Sequence, residues 1–408
     1  MSGTVVAQFI TFGLSFLLAR IYLPDEFGRY SIFVGCAGVL AAAATGAFDR
    51  VILLAGSAEE SRRVATLTLV TSASIATLTV VLASTLVLTG AITLIPLPAV
   101  DILLFLPAFV IFYACAQVFI YASLREDRLR LLSMLKVAQS SLMGAIQVAA
   151  SGLSAVSGLI LGNLAGWFVL AVAGLRWRST LGFLRSDLQL HTLKSIARTH
   201  SRYPRYIMPN EVLDNLSNQV PILLIGTFLS LSDAGHYGLA IMILSAPAAL
   251  LGQAVGQSFL QYLGNHGDDA RLIKQLMLRI WLGMAAVAFL PFGLVFLMGD
   301  QIFEIAFGSN WSAAGGVAQA LALLLFVRFV SSPTSTVYLK LGMQKEQWRF
   351  CLAAAFYRTA AYSLTALNFS LLHVIWVHVI TEVIFIILYN FTALRRLQTA
   401  GSAQSVVK

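Results

Sequence analysis

The sequence predicts an all-α integral membrane protein with about twelve transmembrane helices. Of its 408 residues, 58% are hydrophobic and only 11% are charged, whereas a soluble domain carries about 25% charged residues. Apolar runs recur along the chain at roughly the 20 residues that cross a bilayer. Basic residues collect in alternate connections, as the positive-inside rule requires of a multi-pass protein. This composition excludes soluble enzymes, disordered proteins and secreted disulfide scaffolds.

Twelve apolar segments, taken in order, account for most of the chain. Each is long enough to cross lipid, where only a helix satisfies its own backbone hydrogen bonds. The three cysteines lie inside apolar runs without metal-ligand spacing, so we expect no disulfide, metal or cofactor. The segments are residues 3–23, 30–52, 64–89, 102–124, 131–152, 154–175, 206–229, 237–263, 273–298, 313–340, 349–368 and 371–394.

The distribution of Lys and Arg orients these spans. Of the 27 basic residues, 23 fall on one side, whereas only Arg20 and Arg29 fall on the other. Arg328 and Arg358 lie inside spans. We therefore expect both termini in the cytoplasm. The same bias explains the net charge of +9, so no nucleic acid partner is predicted.

An internal repeat divides the chain into two halves. At an offset of 207 residues, Gly28 aligns with Gly235 and Tyr30 with Tyr237. Six spans per half give both halves the same orientation, which predicts pseudo-symmetry about an axis along the membrane normal. The predicted organisation is an N-terminal six-helix lobe (1–175), a basic cytoplasmic linker (176–205), a C-terminal six-helix lobe (206–395) and a cytoplasmic tail (396–408). The linker is expected to lie near anionic lipid or to bind a partner.

Polar side chains recur within the apolar spans, where they are costly and are typically functional or paired. One polar stripe on span one (Thr4, Gln8 and Thr11) aligns at the repeat offset with a second stripe on span seven (Glu211, Asn215 and Asn218), and each stripe lies on one helical face. The glutamines of span eight fit either cavity lining or helix packing. The candidates for lining a polar cavity are Thr4, Gln8, Thr11, Asn215, Asn218, Gln253 and Gln257.

Ionisable residues inside the spans are candidates for ion coupling, namely Glu211, Asp214, Glu382 and His378. Each has a structural alternative. Glu382 is placed to pair with Arg358, and the two carboxylates of span seven are placed to cap or hydrate the cytoplasmic mouth. Arg328 is either a helix–helix pair or a contact for a substrate phosphate.

Signatures of catalysis are missing from the sequence. It has no GxxxxGK[ST], HExxH or GxSxG motif, and no extramembrane segment large enough for a nucleotide-binding domain. We therefore predict no catalytic residues and a protein that is not an enzyme. Any transport would be driven by an ion gradient, the membrane potential or removal of the product.

The same residues carry a resemblance to a known family. Leu18-Ala19-Arg20, followed by Leu23 to Tyr30, resembles the first helix and loop of bacterial polysaccharide-export flippases. These belong to the multidrug/oligosaccharidyl-lipid/polysaccharide exporter superfamily. The resemblance covers nearly the whole chain and continues through Tyr203-Pro204, Pro209 to Pro221, Ala234 to Ala240, Ala246-Pro247, Gly252, Gln257, Phe307 to Trp311, Ser331-Ser332-Pro333 and Leu341-Gly342.

The resemblance implies a V-shaped, MATE-like bundle of two lobes that translocates an undecaprenyl-diphosphate-linked oligosaccharide by alternating access. The product would be O-antigen, another lipopolysaccharide component or a related surface polysaccharide. It also implies a bacterial inner-membrane location, with membrane lipid and other polysaccharide-assembly proteins as partners. Arg20 matches the family's arginine at the end of helix one, and Arg50, Arg328 and Arg358 join it by position as cations for the diphosphate.

Two other functions remain open at this stage. A multidrug/cation antiporter of the same superfamily predicts acidic, aromatic-lined cavities, and the arginines inside the spans argue against it. A membrane glycosyltransferase or polymerase needs a sizeable extracytoplasmic loop with catalytic residues. The longest such candidate, around residues 299–312, is short.

Overall fold

The computed structural model describes residues 2–90, 99–152, 155–176, 185–265, 270–341, 343–367 and 369–406. Over these ranges the chain is helical and contains no β-strand. It divides into two compact units, Met1–Gly235 and His236–Lys408. By length and composition alone, seven helices in the described ranges are suited to crossing a membrane.

The helices follow the predicted segments closely. In the first unit they are α1 (Ser2–Ile21), α2 (Pro24–Ala44), α3 (Asp49–Leu54), α4 (Ala58–Leu88), α5 (Ala99–Arg125), α6 (Leu129–Ala149), α7 (Ala155–Arg176), α8 (Leu190–Thr199) and α9 (Met208–Phe228). The first turn of α10 (Leu231–Asn265) ends this unit. The second unit continues with the rest of α10, α11 (Ala270–Phe307), α12 (Ser312–Ser331), α13 (Val337–Lys340), α14 (Gln344–Ser363) and α15 (Leu371–Val406). Every predicted span overlaps a helix, and the all-α membrane fold is confirmed.

The second predicted span is two helices joined by a turn. α2 begins at Pro24, because proline suits the first turn of a helix and the backbone N–H of Leu23 donates to the Glu26 carboxylate at 2.8 Å. It ends at Ala44, since Gly46 and Ala47 adopt φ values of 60° and 59°, which no α-helix accommodates. The chain then re-enters a helix at Asp49. This turn places two charged residues at the start of α3.

Two helices of the second unit are interrupted, one at the end of predicted span nine and one inside predicted span ten. Backbone geometry at Met298 (φ −133°, ψ 25°) breaks α11 at the predicted end of span nine, although helix resumes as far as Phe307. α12 ends at Ser331, and a 3-10 turn containing Pro333 follows it. Proline lacks the N–H that would continue the helical hydrogen bonds, which explains the break.

The predicted surface linker is in part a docked helix. α8 buries Leu193 in an apolar cluster that includes Phe48 of the turn before α3, Val64 of α4 and Val118 of α5. Burying this face removes apolar surface from water, and it fixes α8 to the first unit. The first unit also contains α9, which packs along α2. Span seven was assigned to the C-terminal lobe, and the predicted lobe boundary at residue 206 stays a prediction.

The internal repeat has a structural counterpart within the first unit. A Cβ atom added at Gly28 would lie 1.9 Å from the carbonyl oxygen of Leu231. A Cβ atom added at Gly235 would lie 1.9 Å from the carbonyl oxygen of Pro24. At the repeat offset these are the same contact made twice. The aligned turns therefore meet face to face, and each requires the absence of a side chain.

Candidate functional site

The first candidate site is an ion pair between α3 and α9. The guanidinium of Arg50, in the first turn of α3, pairs with the carboxylate of Glu211, in the first turn of α9. The Arg50 side chain is 45% exposed and the Glu211 side chain is 25% exposed. Because both side chains are partly exposed, a third charged group is able to reach this ion pair. Water and dissolved ions also screen the attraction between its two charges.

Acidic groups outnumber the cation at this place. Asp49 is buried and accepts a hydrogen bond from the Thr45 hydroxyl at 2.7 Å. Asp214, exposed one turn along α9, adds a second carboxylate near Glu211. The site therefore combines the predicted cation Arg50 with Glu211 and Asp214, both predicted as ion-coupling candidates, and with the buried Asp49.

The second candidate site is a buried ionic cluster in the second unit. Glu382 of α15 accepts two hydrogen bonds from Arg358 of α14, at 2.8 Å and 2.6 Å, in a bidentate arrangement. Arg328 of α12 and the hydroxyl of Tyr357 also donate to this carboxylate. Of the two interpretations of Glu382, the structure shows the ion pair, and a coupling role stays a prediction.

The two arginines of this cluster differ in burial and in the number of hydrogen bonds that they donate to Glu382. Arg358 is buried and gives two donors to Glu382, so it holds α14 against α15. The Arg328 side chain is 35% exposed and donates from one nitrogen. Two cations against one carboxylate leave a net positive charge, and the exposed part of that charge lies on Arg328.

His378 lies one helical turn before Glu382 and is buried. Its ring centroid is 5.1 Å from that of Tyr362. Within the described residues, its Nδ1 atom is buried without a hydrogen-bond partner. The ring is therefore packed as part of the core, next to the ionic cluster.

The remaining predicted residues are spread over several helices. Arg20 is exposed in the last turn of α1. On α1, Gln8 is partly buried and the Thr11 hydroxyl donates to the carbonyl of Ala7 in its own helix. On α9, Asn215 donates to the carbonyl of Glu211 in the same way, while Asn218 is exposed. Gln257 is exposed on α10, and the side chains of Thr4 and Gln253 lie outside the described residues.

The two polar stripes have different neighbours. α1 packs against α6, whereas α9 packs against α2. Convergence of the two stripes on one cavity therefore stays a prediction. No group of three or more metal-ligating side chains was found in the described ranges.

Sequence reasoning missed three residues that complete these clusters. Tyr357 precedes Arg358 and reaches the same carboxylate. Tyr121 of α5 interacts with Asp49, Arg50 and Glu211. Asp187 is the only acidic residue in the basic linker, and it pairs with arginines of α4. A lone acid among cations was a usable signal for the last, whereas the tyrosines resemble ordinary membrane aromatics.

Comparison with known proteins identifies the family. The sequence profile of a family described as polysaccharide biosynthesis protein matches residues 17–316. The succinoglycan biosynthesis transport protein ExoT of Rhizobium meliloti (strain 1021) is 29% identical over 188 residues, which are 45% of this chain and 37% of that protein. The teichuronic acid biosynthesis protein TuaB of Bacillus subtilis (strain 168) is 24% identical over 178 residues, 43% of this chain and 37% of that protein. Each match thus spans little more than a third of the relative's length.

Solved structures are similar over nearly the whole chain. The lipid II flippase MurJ in an inward closed conformation superposes with a TM-score of 0.74 at 11% identity, covering 99% of this chain and 90% of that one. An inward-facing multidrug resistance MATE transporter of the MOP superfamily superposes with a TM-score of 0.62 at 13% identity, covering 98% and 99%. Identities this low show the fold alone. With the family profile matching most of its length, this chain belongs to the polysaccharide biosynthesis protein family and has the multi-pass helical fold of MurJ and the MATE transporters.

Proposed function

We propose that this protein is a flippase that moves undecaprenyl-diphosphate-linked oligosaccharide repeat units across the bacterial inner membrane by alternating access. The repeat units would enter surface polysaccharide, such as O-antigen. Family membership and the fold of a lipid flippase support transport of a lipid-linked saccharide. The observation that carries the proposal is that partly exposed arginines, Arg50 and Arg328, stand among apolar helices, each beside a carboxylate.

The physical task is to pass two phosphates and a sugar through hydrocarbon. A guanidinium presents a planar fork of donors that matches two phosphate oxygens. Arg328 is able to turn to a phosphate at low cost, because Arg358 and Tyr357 still satisfy Glu382 when it leaves. Arg358 therefore serves as a positioning residue, and Arg328 as the phosphate contact.

At the first site a phosphate would compete with Glu211 for Arg50. The displaced carboxylate then needs a new counter-charge, since an unpaired charge in a half-buried site is costly. A proton or a metal cation bound by Glu211 and Asp214 would supply it. This exchange would link substrate binding at Arg50 to an ion gradient. In this proposal both termini of the chain lie in the cytoplasm.

The proposal is tested by deleting the gene in its host. We expect loss of surface polysaccharide, with lipid-linked repeat units trapped on the cytoplasmic face. Complementation with Arg50→Ala or Arg328→Ala should lower flipping about 10- to 100-fold, as removal of a hydrogen bond to a charged group does. Arg349→Ala is the matched control, because Arg349 is also an exposed arginine but lies near the predicted cytoplasmic end of α14. Normal polysaccharide in the deletion strain would refute the assignment.

A second candidate function is cation or drug antiport. The carboxylates grouped at the first site, Glu211 with Asp49 and Asp214, favour it, because carboxylates attract cationic substrates. Drug susceptibility of the deletion strain distinguishes the two functions: hypersensitivity with normal polysaccharide would assign antiport. Chain elongation by the purified protein would instead point to a polymerase.

A further inference from the structure

The segment from Asp187 to His200 is fixed to the start of α4 at both of its ends. Asp187 is buried, and its carboxylate lies 2.7 Å from the Arg62 Nε atom and 3.6 Å from the Arg63 Nε atom. At the other end, the His200 Nε2 atom lies 3.2 Å from a carboxylate oxygen of Glu60. Leu193 lies between these contacts, buried in the apolar cluster. α8 therefore shows one constant face to the surroundings.

That outward face is basic. Lys194 and Arg198 lie four residues apart on α8 and are exposed, and residues at this spacing share one face of a helix. Arg202 lies just beyond the turn that ends α8 and is also exposed. We call these three residues the basic stripe. Lys194 and Arg198 lie about 100° and 140° round the helix from the buried Leu193, so both cations lie off the face that contacts the apolar cluster.

Apolar side chains border the basic stripe and are exposed as well. Leu190, one turn before Lys194, is 80% exposed, and Leu188 is 55% exposed. Tyr206 is 62% exposed, and the Arg205 guanidinium lies 5.5 Å from its ring centroid. Leucine and tyrosine interleaved with cations are typical of segments that lie at a membrane–water boundary.

We propose that the basic stripe binds the headgroups of anionic phospholipids in the cytoplasmic leaflet, with Leu188 and Leu190 lying against their acyl chains. The charge is complementary to anionic lipid, and the exposed leucines suit a lipid partner better than a soluble one. The predicted topology places this segment on the cytoplasmic side. Since α8 leads through the turn at Tyr203–Ile207 into α9, the lipid would hold the start of α9 at the membrane surface.

Native mass spectrometry of the full chain in detergent tests the proposal. The protein is titrated with dioleoylphosphatidylglycerol or dioleoylphosphatidylcholine, and bound lipid is counted. We expect tighter binding of phosphatidylglycerol, weakened by added salt. The triple variant Lys194→Gln, Arg198→Gln, Arg202→Gln should bind it about 100-fold more weakly, the combined effect of three cations near an anionic surface.

The matched control carries the same loss of charge elsewhere on the predicted cytoplasmic side, as Lys345→Gln, Arg349→Gln, Arg395→Gln. These three residues are also exposed. The control should bind phosphatidylglycerol as the native chain does, and a variant with Lys194→Arg, Arg198→Lys and Arg202→Lys should keep binding. Equal phosphatidylglycerol binding by the native chain and the stripe variant would overturn the proposal. An equal loss in the control would do so too.

Discussion

Replacing Gly28 by alanine should force apart the two turns that meet in the first unit. The added Cβ atom would lie 1.9 Å from the carbonyl oxygen of Leu231 and 2.8 Å from its carbonyl carbon. Carbon and oxygen atoms approach to about 3.3 Å even in close contacts, so the turns must separate by about 1.4 Å. No rotamer change relieves this clash, because the opposing atoms belong to the backbone. Overpacking of this kind costs about 1–3 kcal/mol.

The contact is reciprocal, which makes the prediction sharper. Gly235→Ala should cost the same as Gly28→Ala, since its Cβ atom would lie 1.9 Å from the carbonyl oxygen of Pro24. The double variant should cost less than the sum, because one separation of the turns relieves both clashes.

Thermal unfolding of the purified protein in detergent, with hydrogen exchange across the first turn of α2, measures these effects. Gly13→Ala is the control, because nothing lies within 4 Å of its added Cβ atom. Alanine there should be neutral or stabilising by about 0.5–1 kcal/mol. A Gly28→Ala variant as stable as this control would refute the reasoning, as would unequal effects at the two reciprocal positions.

Four other variants test the ionic clusters and the docked helix. Arg358→Met should destabilise the second unit by about 3–5 kcal/mol, because it leaves the buried Glu382 without its bidentate partner. Arg328→Met should cost less stability. Equal melting temperatures for the two variants would contradict this ranking. Leu193→Ala should lower the free energy of unfolding by about 2–3 kcal/mol and speed hydrogen exchange in α8, since the buried Leu193 side chain holds that helix in place. Unchanged exchange in α8 would show that the ion pairs alone hold the helix. Glu211→Gln should abolish any ion dependence of transport while phosphate-lipid binding persists or strengthens, and retained ion dependence in a vesicle flipping assay would count against the coupling scheme.

The positions of the helices were predictable from hydropathy. Apolar runs in lipid have few structural options, since a helix satisfies its own backbone hydrogen bonds. The ends of the helices were harder to predict from the sequence, because they depend on local chemistry. The turn at Gly46 and Ala47 splits one apolar run into α2 and α3, and its φ values depend on packing that hydropathy does not encode.

The candidate sites divide in the same way. The sequence identified Arg50, Glu211, Arg358 and Glu382 as unusual, because charge inside an apolar span is costly wherever it lies. It did not pair Arg50 with Glu211, which lies far along the chain. That pairing exists because α9 packs along α2, beside the start of α3.

The sequence by itself determined the all-helical membrane class, the order of the spans and the internal repeat, since each follows from local composition and spacing. Only the tertiary structure decided which charges meet, how α8 lies on the first unit, and that Gly28 and Gly235 face each other. Those outcomes depend on contacts between segments distant along the chain. A one-dimensional pattern shows that a buried charge needs a partner, but helix packing determines which partner it finds.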